Sequence, residues 1–392
     1  MDITLNDEQK LIAETAWAFA KEALPAARIR ELESSENGFD PATWRQMADM
    51  GWAGAVFPDE YGGSGLGWME LALIMEALGR GAVPSPIYAA VVEAGALLLH
   101  AGSPEQRRVW LPRIAAGASI VTTALIEADG GCSAGQVQTE IARNGSTCTV
   151  NGTKLFVRDA GVAEAIICLG RERDDEKKLT LMLVPADARG ISRRRLPAAG
   201  GETLWEVTFE AVTVPGDAAI GAAGGAWPHV EQLLLRGAAM KSAELVGIGQ
   251  AALDLTVAYA GTRVQFGRAI GTFQAVQHHC ADMYRAIAVS RLLVWQAAAR
   301  LDSAKPALRE IAMAKAKTSE AIPAVTRTAH QIHGAFGFYR DYPLELYYHR
   351  AIAAAAAYGH VNHQRRALAR LLRDDLEQFR GDHRHELPVH HF

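Results

Sequence analysis

The stretch TCTVNGTKLFV, residues 147–157, decides the fold class because it differs in composition from the sequence on both sides of it. It is rich in β-branched residues, and its Asn151-Gly152 pair is typical of a two-residue hairpin turn. Three further short stretches with strand-like composition follow it: 165–169, 179–184 and 205–209. Several short strands at this spacing predict a small antiparallel β-barrel or sandwich.

Helical periodicity surrounds this β-rich region. On either side, apolar residues recur at three- and four-residue spacing, which is typical of amphipathic helices, and Asn6 is placed to cap the first helix. The clearest such stretches are 8–23, 68–78, 229–262 and 274–301. Long helices joined by short turns pack as an antiparallel bundle.

The chain is therefore predicted to be α+β, mainly α, and to contain three domains. These are an N-terminal helical domain at 1–120, a central antiparallel β-barrel or sandwich domain at 121–225, and a C-terminal four-helix bundle domain at 226–392. A length of 392 residues suits two or three domains.

Composition excludes several classes of function. Forty Lys and Arg against 44 Asp and Glu give a net charge of −4, and no basic block favours nucleic acid as a partner. No run of about 18 apolar residues predicts a membrane span, and the N-terminus is unlike a signal peptide, so a cytoplasmic location is expected. Cysteine spacing predicts no metal site. Four histidines near the C-terminus are expected to belong to a solvated end rather than a metal site: His383, His385, His390 and His391.

The stretch YAGTRVQFGRAIGTFQAVQ, residues 259–277, is the best candidate for a binding site. It is typical of a helix end, a turn with glycines and a second helix. Arg263 can form two hydrogen bonds with a phosphate, while Phe266 or Phe273 and the amide of Gln274 can hold a flat heteroaromatic body. The alternative is that Arg263 pairs with a carboxylate across a subunit contact.

This block resembles the arginine, phenylalanine-glycine and phenylalanine-glutamine signature of the acyl-CoA dehydrogenase family. Residues 331–338, QIHGAFGF, look like the family's glutamine and glycine-glycine segment, and residues 151–154, NGTK, sit on the predicted hairpin as they do in the family. The resemblance extends over essentially the whole chain. It implies the same helix, barrel and helix architecture.

The resemblance also implies FAD as the cofactor, shared across a subunit boundary in an oligomer. Arg263 and Phe266 would contact the pyrophosphate region, and the remaining implied FAD contacts are Phe273, Gln274, Gln331, Gly334 and Ala335. The implied reaction is α,β-desaturation of an acyl-CoA thioester: a carboxylate removes the α-proton and the flavin accepts a hydride. An electron-transfer flavoprotein or a similar acceptor would then take the electrons.

The catalytic base that the resemblance implies is missing from this sequence. In the family a glutamate occupies one of two positions, which fall here on Gly359 and Gly237, and glycine has no side chain to take a proton. Two replacements remain as candidate bases. Glu244 lies two helical turns beyond Gly237, and His360 directly follows Gly359.

Positions that border the flavin ring are also altered. The family's threonine before a glutamate and proline falls on Ile126, and its tryptophan and threonine fall on Phe156 and Arg158. Phe156 keeps an aromatic ring for the cofactor. Arg158 is a large cation in place of a small hydroxyl, and we expect it to pair with Asp159 or Glu164.

Four hypotheses follow. The first is that the chain is the base-lacking subunit of a heterotetrameric acyl-CoA dehydrogenase, similar to bacterial members that act on steroid side chains and other bulky acyl groups. The second is a self-sufficient homotetramer that uses His360 as its base. The third is a non-catalytic relative that binds acyl-CoA or a nucleotide, and the fourth is a flavin monooxygenase on the same architecture.

Overall fold

The structure, a computed structural model, describes residues 4–128, 133–303 and 305–382. Helices come first along the chain, strands occupy its middle, and helices return from Trp227 onward. This order confirms the predicted fold class. The C-terminal histidines considered as metal ligands lie outside the described residues: His383, His385, His390 and His391.

The N-terminal part consists of six α-helices and a π-helical stretch, Tyr88–Gly95, that runs directly into the fifth of them. The helices are α1 (Asp7–Ala23), α2 (Ala26–Ser34), α3 (Pro41–Asp49), α4 (Trp68–Gly81), α5 (Ala96–Ala101) and α6 (Pro104–Ala115). Asn6 caps α1 as predicted: its Oδ1 accepts from the Gln9 amide at 2.8 Å, and Gln9 Oε1 accepts from the Asn6 amide at 3.1 Å.

The middle of the chain forms one eight-stranded sheet. Its strands are β1 (Val121–Ala124), β2 (Glu140–Asn144), β3 (Thr147–Arg158), β4 (Ala165–Glu172), β5 (Asp175–Pro185), β6 (Ile191–Leu196), β7 (Leu204–Pro215) and β8 (Ala219–Ile220). The order is β6-β7-β3-β2-β4-β5-β8, and β1 pairs with β4. Most pairs are antiparallel, as predicted, but β4 runs parallel to both β1 and β2.

The predicted hairpin turn at Asn151-Gly152 is wrong. Strand β3 runs straight through that pair, and the turn that joins β2 to β3 lies seven residues earlier, at Gly145, whose φ is +65°. Gly152 instead marks a shift in the register between β3 and β7. A Cβ there would lie 2.4 Å from Thr139 Oγ1, so the glycine permits a close approach inside the sheet.

The C-terminal part is a bundle of long helices. They are α7 (Trp227–Thr262), α8 (Gln274–Asp302), α9 (Leu308–His333), α10 (Leu344–Ala356) and α11 (Val361–Asp382), with a short β9 (Val264–Gln265) and β10 (Arg268–Ala269) hairpin between α7 and α8. The main apolar core joins both helical parts with one face of the sheet. The domain limits at 120 and 225 therefore stay a prediction.

The described residues contain neither a membrane-spanning helix nor a metal-binding group of side chains. No helix in this part of the chain is both long and apolar enough to cross a membrane. Nor does it contain a group of three or more His, Cys, Asp and Glu side chains that could hold a metal ion.

Candidate functional site

The two positions where the family resemblance places a catalytic base meet at one point in the structure. Gly237 lies on α7, and Gly359 lies in the turn between α10 and α11 with φ +91°. A Cβ on Gly237 would lie only 2.3 Å from a ring carbon of Tyr358. The Tyr358 ring thus packs on Gly237 and fills the space that a side chain there would need, while a Cβ on Gly359 would lie 2.8 Å from the His363 ring and 2.9 Å from Gln364 Nε2.

A network of buried and partly buried charges lies beside Tyr358. We call these five side chains the ion cluster: Glu93, Arg158, Glu202, Lys241 and Glu244. Lys241 Nζ donates to Glu202 Oε1 and to Glu244 Oε2, at 2.7 Å in both cases. Arg158 donates to Glu93 Oε1 at 2.9 Å and to Glu202 Oε2 at 3.5 Å.

The members of the ion cluster come from four parts of the fold. Glu93 is on the π-helical stretch, and Arg158 is the last residue of β3. Lys241 and Glu244 lie one turn apart on α7. Glu202 lies in the loop before β7. A Cβ on Gly201 would lie 2.5 Å from Arg350 Nη2, and its φ is +78°, so this loop needs glycine there.

Aromatic and hydroxyl groups complete the surroundings of the cluster. Thr123 Oγ1 donates to Glu93 Oε2 at 2.6 Å, and the Tyr358 hydroxyl donates to Glu93 Oε1. Lys241 Nζ lies 3.6 Å from the centroid of the Tyr88 ring, within cation–π range. Two polar atoms in these surroundings, Arg158 Nε and the Tyr88 hydroxyl oxygen, are buried without a hydrogen-bond partner.

The charges stabilise one another. Burial alone would lower the pKa of Arg158, but its acidic neighbours, Glu202 first, raise that pKa well above its usual value. Burial alone would raise the pKa of Glu202, but Arg158 and Lys241 hold it far below its usual range. Asp159 differs, because burial raises the pKa of its carboxyl to about 7. Arg158 and Glu202 thus stay charged at neutral pH while Asp159 titrates there.

The predicted partners of Arg158 are wrong. Its guanidinium contacts neither Asp159 nor Glu164, but pairs with Glu93 and Glu202. The Glu164 carboxylate accepts from Arg113 at 2.7 Å instead. Strand β3 ends at Arg158, so Asp159 and Glu164 lie in the loop before β4, outside the ion cluster that the Arg158 side chain enters.

The candidate bases of the sequence analysis lie in different settings. Glu244 is held by Lys241 and is mostly buried, with 16% of its side chain exposed. His360 is exposed at the start of α11, where its Nδ1 accepts a hydrogen bond from the Asn362 amide at 3.2 Å.

The predicted FAD contacts at the other end of α7 form an exposed surface. We call it the Arg263 face; its members are Arg263, Phe266, Phe273, Gln274, Gln331, Gly334 and Ala335. The Arg263 side chain has no hydrogen-bond or ion-pair partner among the described residues. Phe266 is 92% exposed, and its ring meets that of Phe273 edge-on at 6.2 Å.

Ring stacking joins the two sequence blocks of the Arg263 face. Tyr259, one turn before Arg263, stacks on His333 at 4.4 Å and on Phe336 at 5.5 Å, and these two flank the glycine-alanine pair. A Cβ on Gly334 would meet no described atom within 4 Å. An unpaired guanidinium, exposed rings and open backbone fit a ligand that has phosphates and a flat aromatic body.

Phe156 lies apart from these blocks in sequence, on β3, and is 47% exposed with φ +57°. The neighbouring Leu155 amide donates to the Ile126 carbonyl at 2.8 Å, which places two of the altered flavin-ring positions close together. The third, Arg158, points into the ion cluster. The flavin-ring positions therefore fit FAD less well than the Arg263 face does.

Three members of the ion cluster were not predicted from the sequence: Glu93, Glu202 and Lys241. A signal was available for two of them. Glu93 is the one charged residue between Arg80 and His100, and Lys241 lies in the apolar run GAAMKSA. A lone charge on an otherwise apolar helical stretch indicates a buried partner.

The order of a helical part, a central sheet and a helix bundle along the chain matches the acyl-CoA dehydrogenase fold. Models of the acyl-CoA dehydrogenase N-terminal, middle and C-terminal domains match residues 6–118, 122–212 and 224–372. The chain is 32% identical over 381 residues to the probable acyl-CoA dehydrogenase YngJ of Bacillus subtilis (strain 168), covering 95% of this chain and 100% of that one. The chain belongs to the acyl-CoA dehydrogenase family of FAD-dependent oxidoreductases.

Two similar solved structures carry paired names. One is a variant of the Tcur3481-Tcur3483 steroid ACAD, with 28% identity and a TM-score of 0.84 over 95% of this chain and 100% of that one. The other is the ChsE4-ChsE5 complex from Mycobacterium tuberculosis, with 27% identity and a TM-score of 0.85 over 95% of this chain and 99% of that one.

Proposed function

We propose that the chain is a subunit of an FAD-dependent acyl-CoA dehydrogenase that desaturates an acyl-CoA thioester with a catalytic base supplied by a homologous partner. One observation carries the proposal: both base positions are glycines and the Tyr358 ring packs on Gly237, while the Arg263 side chain is exposed and has no partner among the described residues. The chain keeps what holds a cofactor and lacks what removes a proton.

The Arg263 face would hold the phosphate and adenosine end of FAD. Arg263 and Phe266 suit the pyrophosphate region, since a guanidinium binds phosphate oxygens through two parallel hydrogen bonds. Phe273 and Gln274 would line the same cofactor, and Gln331 with its Gly334-Ala335 backbone would reach the adenosine. Bound FAD supplies the acceptor for the hydride that leaves the β-carbon.

A partner subunit is the simplest source of the base. Of the candidate bases within the chain, Glu244 accepts a hydrogen bond from Lys241 Nζ at 2.7 Å, so this carboxylate is already paired within the ion cluster. His360 is exposed and would need to turn from its contact with the Asn362 amide. A heterotetramer of this chain and a base-bearing partner accounts for both observations; a homotetramer that uses His360 is the alternative.

The names of the similar structures support a paired assembly. One is a steroid ACAD with a paired name and the other is called a complex. By analogy, the substrate of this chain's assembly would be an acyl-CoA with a bulky, steroid-like acyl group, and the electron acceptor would be an electron-transfer flavoprotein or a similar protein. Cytoplasmic location is part of the same proposal.

Purification of the chain alone and with the product of a neighbouring homologous gene tests the proposal. Flavin content and the acyl-CoA-dependent reduction of an artificial acceptor are measured for each preparation. We expect flavin and turnover only with the partner. Full turnover by the chain alone would contradict the proposal, and a folded, colourless protein in every pairing would favour a non-catalytic relative.

The variant His360→Ala separates the homotetramer from the heterotetramer. If the partner supplies the base, His360→Ala retains both turnover and the flavin spectrum in the complex. If His360 is the base, turnover is lost while the flavin spectrum is retained. His349→Ala is a matched control, because that side chain is also about half exposed and lies on α10, before the turn that carries Gly359.

A further inference from the structure

Strand β3 contains a β-bulge directly after Lys154. The register between β3 and β7 shifts between Lys154 and Val157. Two residues of β3, Leu155 and Phe156, therefore face one residue of β7, and we call these two residues the Phe156 bulge. Bulges change the direction in which a side chain points, and they are over-represented next to active sites.

The backbone of Phe156 has a conformation that needs support. Its φ is +57°, in the left-handed region, which is unfavourable for an aromatic residue. Its side chain is 47% exposed, so packing of the ring supplies little of that support. Non-glycine residues persist in this region where the surrounding structure fixes them, and they cluster at active sites and ligand contacts. The support must therefore come from the neighbours of Phe156 in the sheet.

Lys154 binds both chain neighbours of Ile126. Its Nζ donates to Glu127 Oε1 at 2.6 Å and to the Leu125 carbonyl at 3.4 Å. Between these two contacts the Ile126 carbonyl accepts from the Leu155 amide at 2.8 Å, in an isolated antiparallel bridge. Two consecutive residues of β3 thus hold three consecutive residues of the segment after β1.

Glu127 extends these contacts to β2. Its carboxylate accepts from the Gln138 amide at 2.7 Å and from the Thr139 amide at 2.9 Å, just before β2 begins. The side chain of Lys154 is 0% exposed and that of Glu127 is 11% exposed. Burial alone would raise the pKa of Glu127, but Lys154 and the Thr139 amide hold it below its usual value. The carboxylate therefore stays charged at neutral pH.

The ion pair does what apolar side chains could not do in its place. Replacing a buried ion pair by apolar residues of similar volume is often neutral for stability or favourable. Apolar residues would fill the space, but they could not join three segments of the sheet through directional hydrogen bonds. Two of these segments carry flavin-ring positions, Ile126 and Phe156. The pair therefore fixes these two positions relative to one another.

We propose that Lys154 and Glu127 are positioning residues that hold the Phe156 bulge, so that the exposed Phe156 ring forms a stacking surface for the flavin ring of FAD. The stacking surface rests on the proposed function, since it requires FAD, whereas the support of the bulge concerns this chain alone. The ion pair acts through Ile126 and Phe156. Stacking of one flat base on an aromatic side chain changes affinity by a factor of about five or more, and we expect a similar gain for the flavin.

Hydrogen exchange of the chain alone tests the support of the bulge. The variant is Lys154→Met with Glu127→Gln, which leaves no unpaired buried charge and keeps the lengths of both side chains. Mass spectrometry of a peptide that contains residues 153–158 follows the Leu155 amide. We expect this amide to exchange at least about tenfold faster in the variant than in the wild type, because the bridge to Ile126 opens more often. Exchange at the wild-type rate would overturn the proposal.

Nucleotide binding by the complex with the partner, freed of flavin, tests the stacking surface. ADP contains the phosphates and adenosine of FAD but no flavin, so it reports the Arg263 face alone. Fluorescence titration gives the FAD affinity, and equilibrium dialysis gives the ADP affinity. We expect the Lys154→Met, Glu127→Gln complex to bind FAD at least about fivefold more weakly than the wild type and to bind ADP within about twofold of it. The visible circular dichroism of bound flavin should change as well.

Arg291→Met with Glu76→Gln is the matched control. This ion pair is also mostly buried, with side chains 22% and 17% exposed and 2.8 Å between Arg291 Nε and Glu76 Oε1. It joins α8 to α4, away from the Phe156 bulge. Both FAD and ADP should bind to this control as they do to the wild type, so it separates the loss of this ion pair from the loss of any buried pair.

The outcomes separate this inference from the proposed function. Unchanged FAD affinity in the folded Lys154→Met, Glu127→Gln variant would overturn the inference, and so would equal losses of FAD and ADP affinity. If that variant does not fold, Glu127→Gln alone takes its place under the same criteria. A wild-type complex that binds neither FAD nor ADP would contradict the proposed function, and exchange of the Leu155 amide would then decide the positioning role of Lys154 by itself.

Discussion

The Arg263 face and the ion cluster lie in the same polypeptide, but their charged side chains have opposite environments. Arg263 is exposed and has no partner among the described residues, whereas Lys241 is 1% exposed and holds two carboxylates. An unsatisfied cation on a surface is available to a ligand, and a satisfied cation in the interior serves stability. We therefore expect substitutions at the Arg263 face to change ligand binding and substitutions in the ion cluster to change stability.

Loss of the central cation should have the largest effect. Lys241→Ala leaves Glu202 and Glu244 without their shared partner, and we expect a loss of about 3–5 kcal/mol in the free energy of unfolding. Chemical denaturation followed by circular dichroism measures it. Lys10→Ala is the matched control, because Lys10 also pairs with an acid three residues away but is half exposed, so a change below about 0.5 kcal/mol is expected.

A loss of unfolding free energy for Lys241→Ala that is no larger than that for Lys10→Ala would contradict the view that the ion cluster is a buried structural unit. It would mean that water already reaches the two carboxylates. The comparison between the two lysines is direct, since both sit on helices and both lose the same atoms.

Removal of one hydroxyl tests the hydrogen bond that Tyr358 donates to Glu93. Tyr358→Phe takes away the donor to Glu93 and keeps the ring on Gly237, and we expect a loss of about 2 kcal/mol, as for a hydrogen bond to a charged group. Tyr339→Phe is the control, because Tyr339 is 62% exposed. Equal unfolding free energies for the two variants would show that the Tyr358 hydroxyl is solvated.

These residues also show what could be predicted from the sequence. Periodicity and the Asn6 cap gave the helices, because helix formation depends on residues three or four apart. The hairpin turn was misplaced because Asn144-Gly145 and Asn151-Gly152 carry the same local signal seven residues apart, and only pairing with β7 distinguishes them. Local patterns cannot choose between two such turns.

The candidate site likewise contains residues that could be predicted from the sequence and residues that could not. The blocks around Arg263 and Gln331 could be identified because their residues are contiguous in sequence. The partners of Arg158 could not, since Glu93 is 65 residues away and Glu202 is 44 residues away. An ion pair between distant elements depends on how those elements pack, and one sequence contains no direct signal of it.

Substitution in the Arg263 face should change flavin affinity and leave stability unchanged, which is the opposite of the effect expected in the ion cluster. Arg263→Ala removes an exposed, unpaired side chain, so the free energy of unfolding should be unchanged. Flavin affinity of the complex should fall about tenfold, or about 1.4 kcal/mol, from the loss of a charge-assisted contact to phosphate. Fluorescence titration with FAD measures this affinity.

Arg194→Ala, which breaks a surface pair with Glu206, is the control for flavin binding. Equal FAD affinities for the two variants would remove Arg263 from the cofactor site. A loss of stability in Arg263→Ala would instead support the alternative in which Arg263 pairs with a carboxylate across a subunit contact.

Replacement of Asp159 should give the smallest change in the free energy of unfolding, and this change should depend on pH. Burial raises the pKa of its carboxyl to about 7, so between pH 4 and pH 7 the folded chain binds more protons than the unfolded chain. Stability from this group is complete below pH 4 and is lost as the pH rises through 7. The side chain is partly exposed, and solvent screening reduces the loss to about 1 kcal/mol.

Asp159→Asn removes the titration and keeps an acceptor for the Thr203 hydroxyl, which donates to Asp159 at 2.5 Å. In thermal melts the variant should therefore lie slightly above the wild type at pH 5 and further above it at pH 8. Asp187→Asn, on the loop between β5 and β6, is the control and should show no such difference. If Asp159→Asn were destabilising at pH 8, the Asp159 carboxylate would be charged and paired at that pH, which would contradict a pKa of about 7.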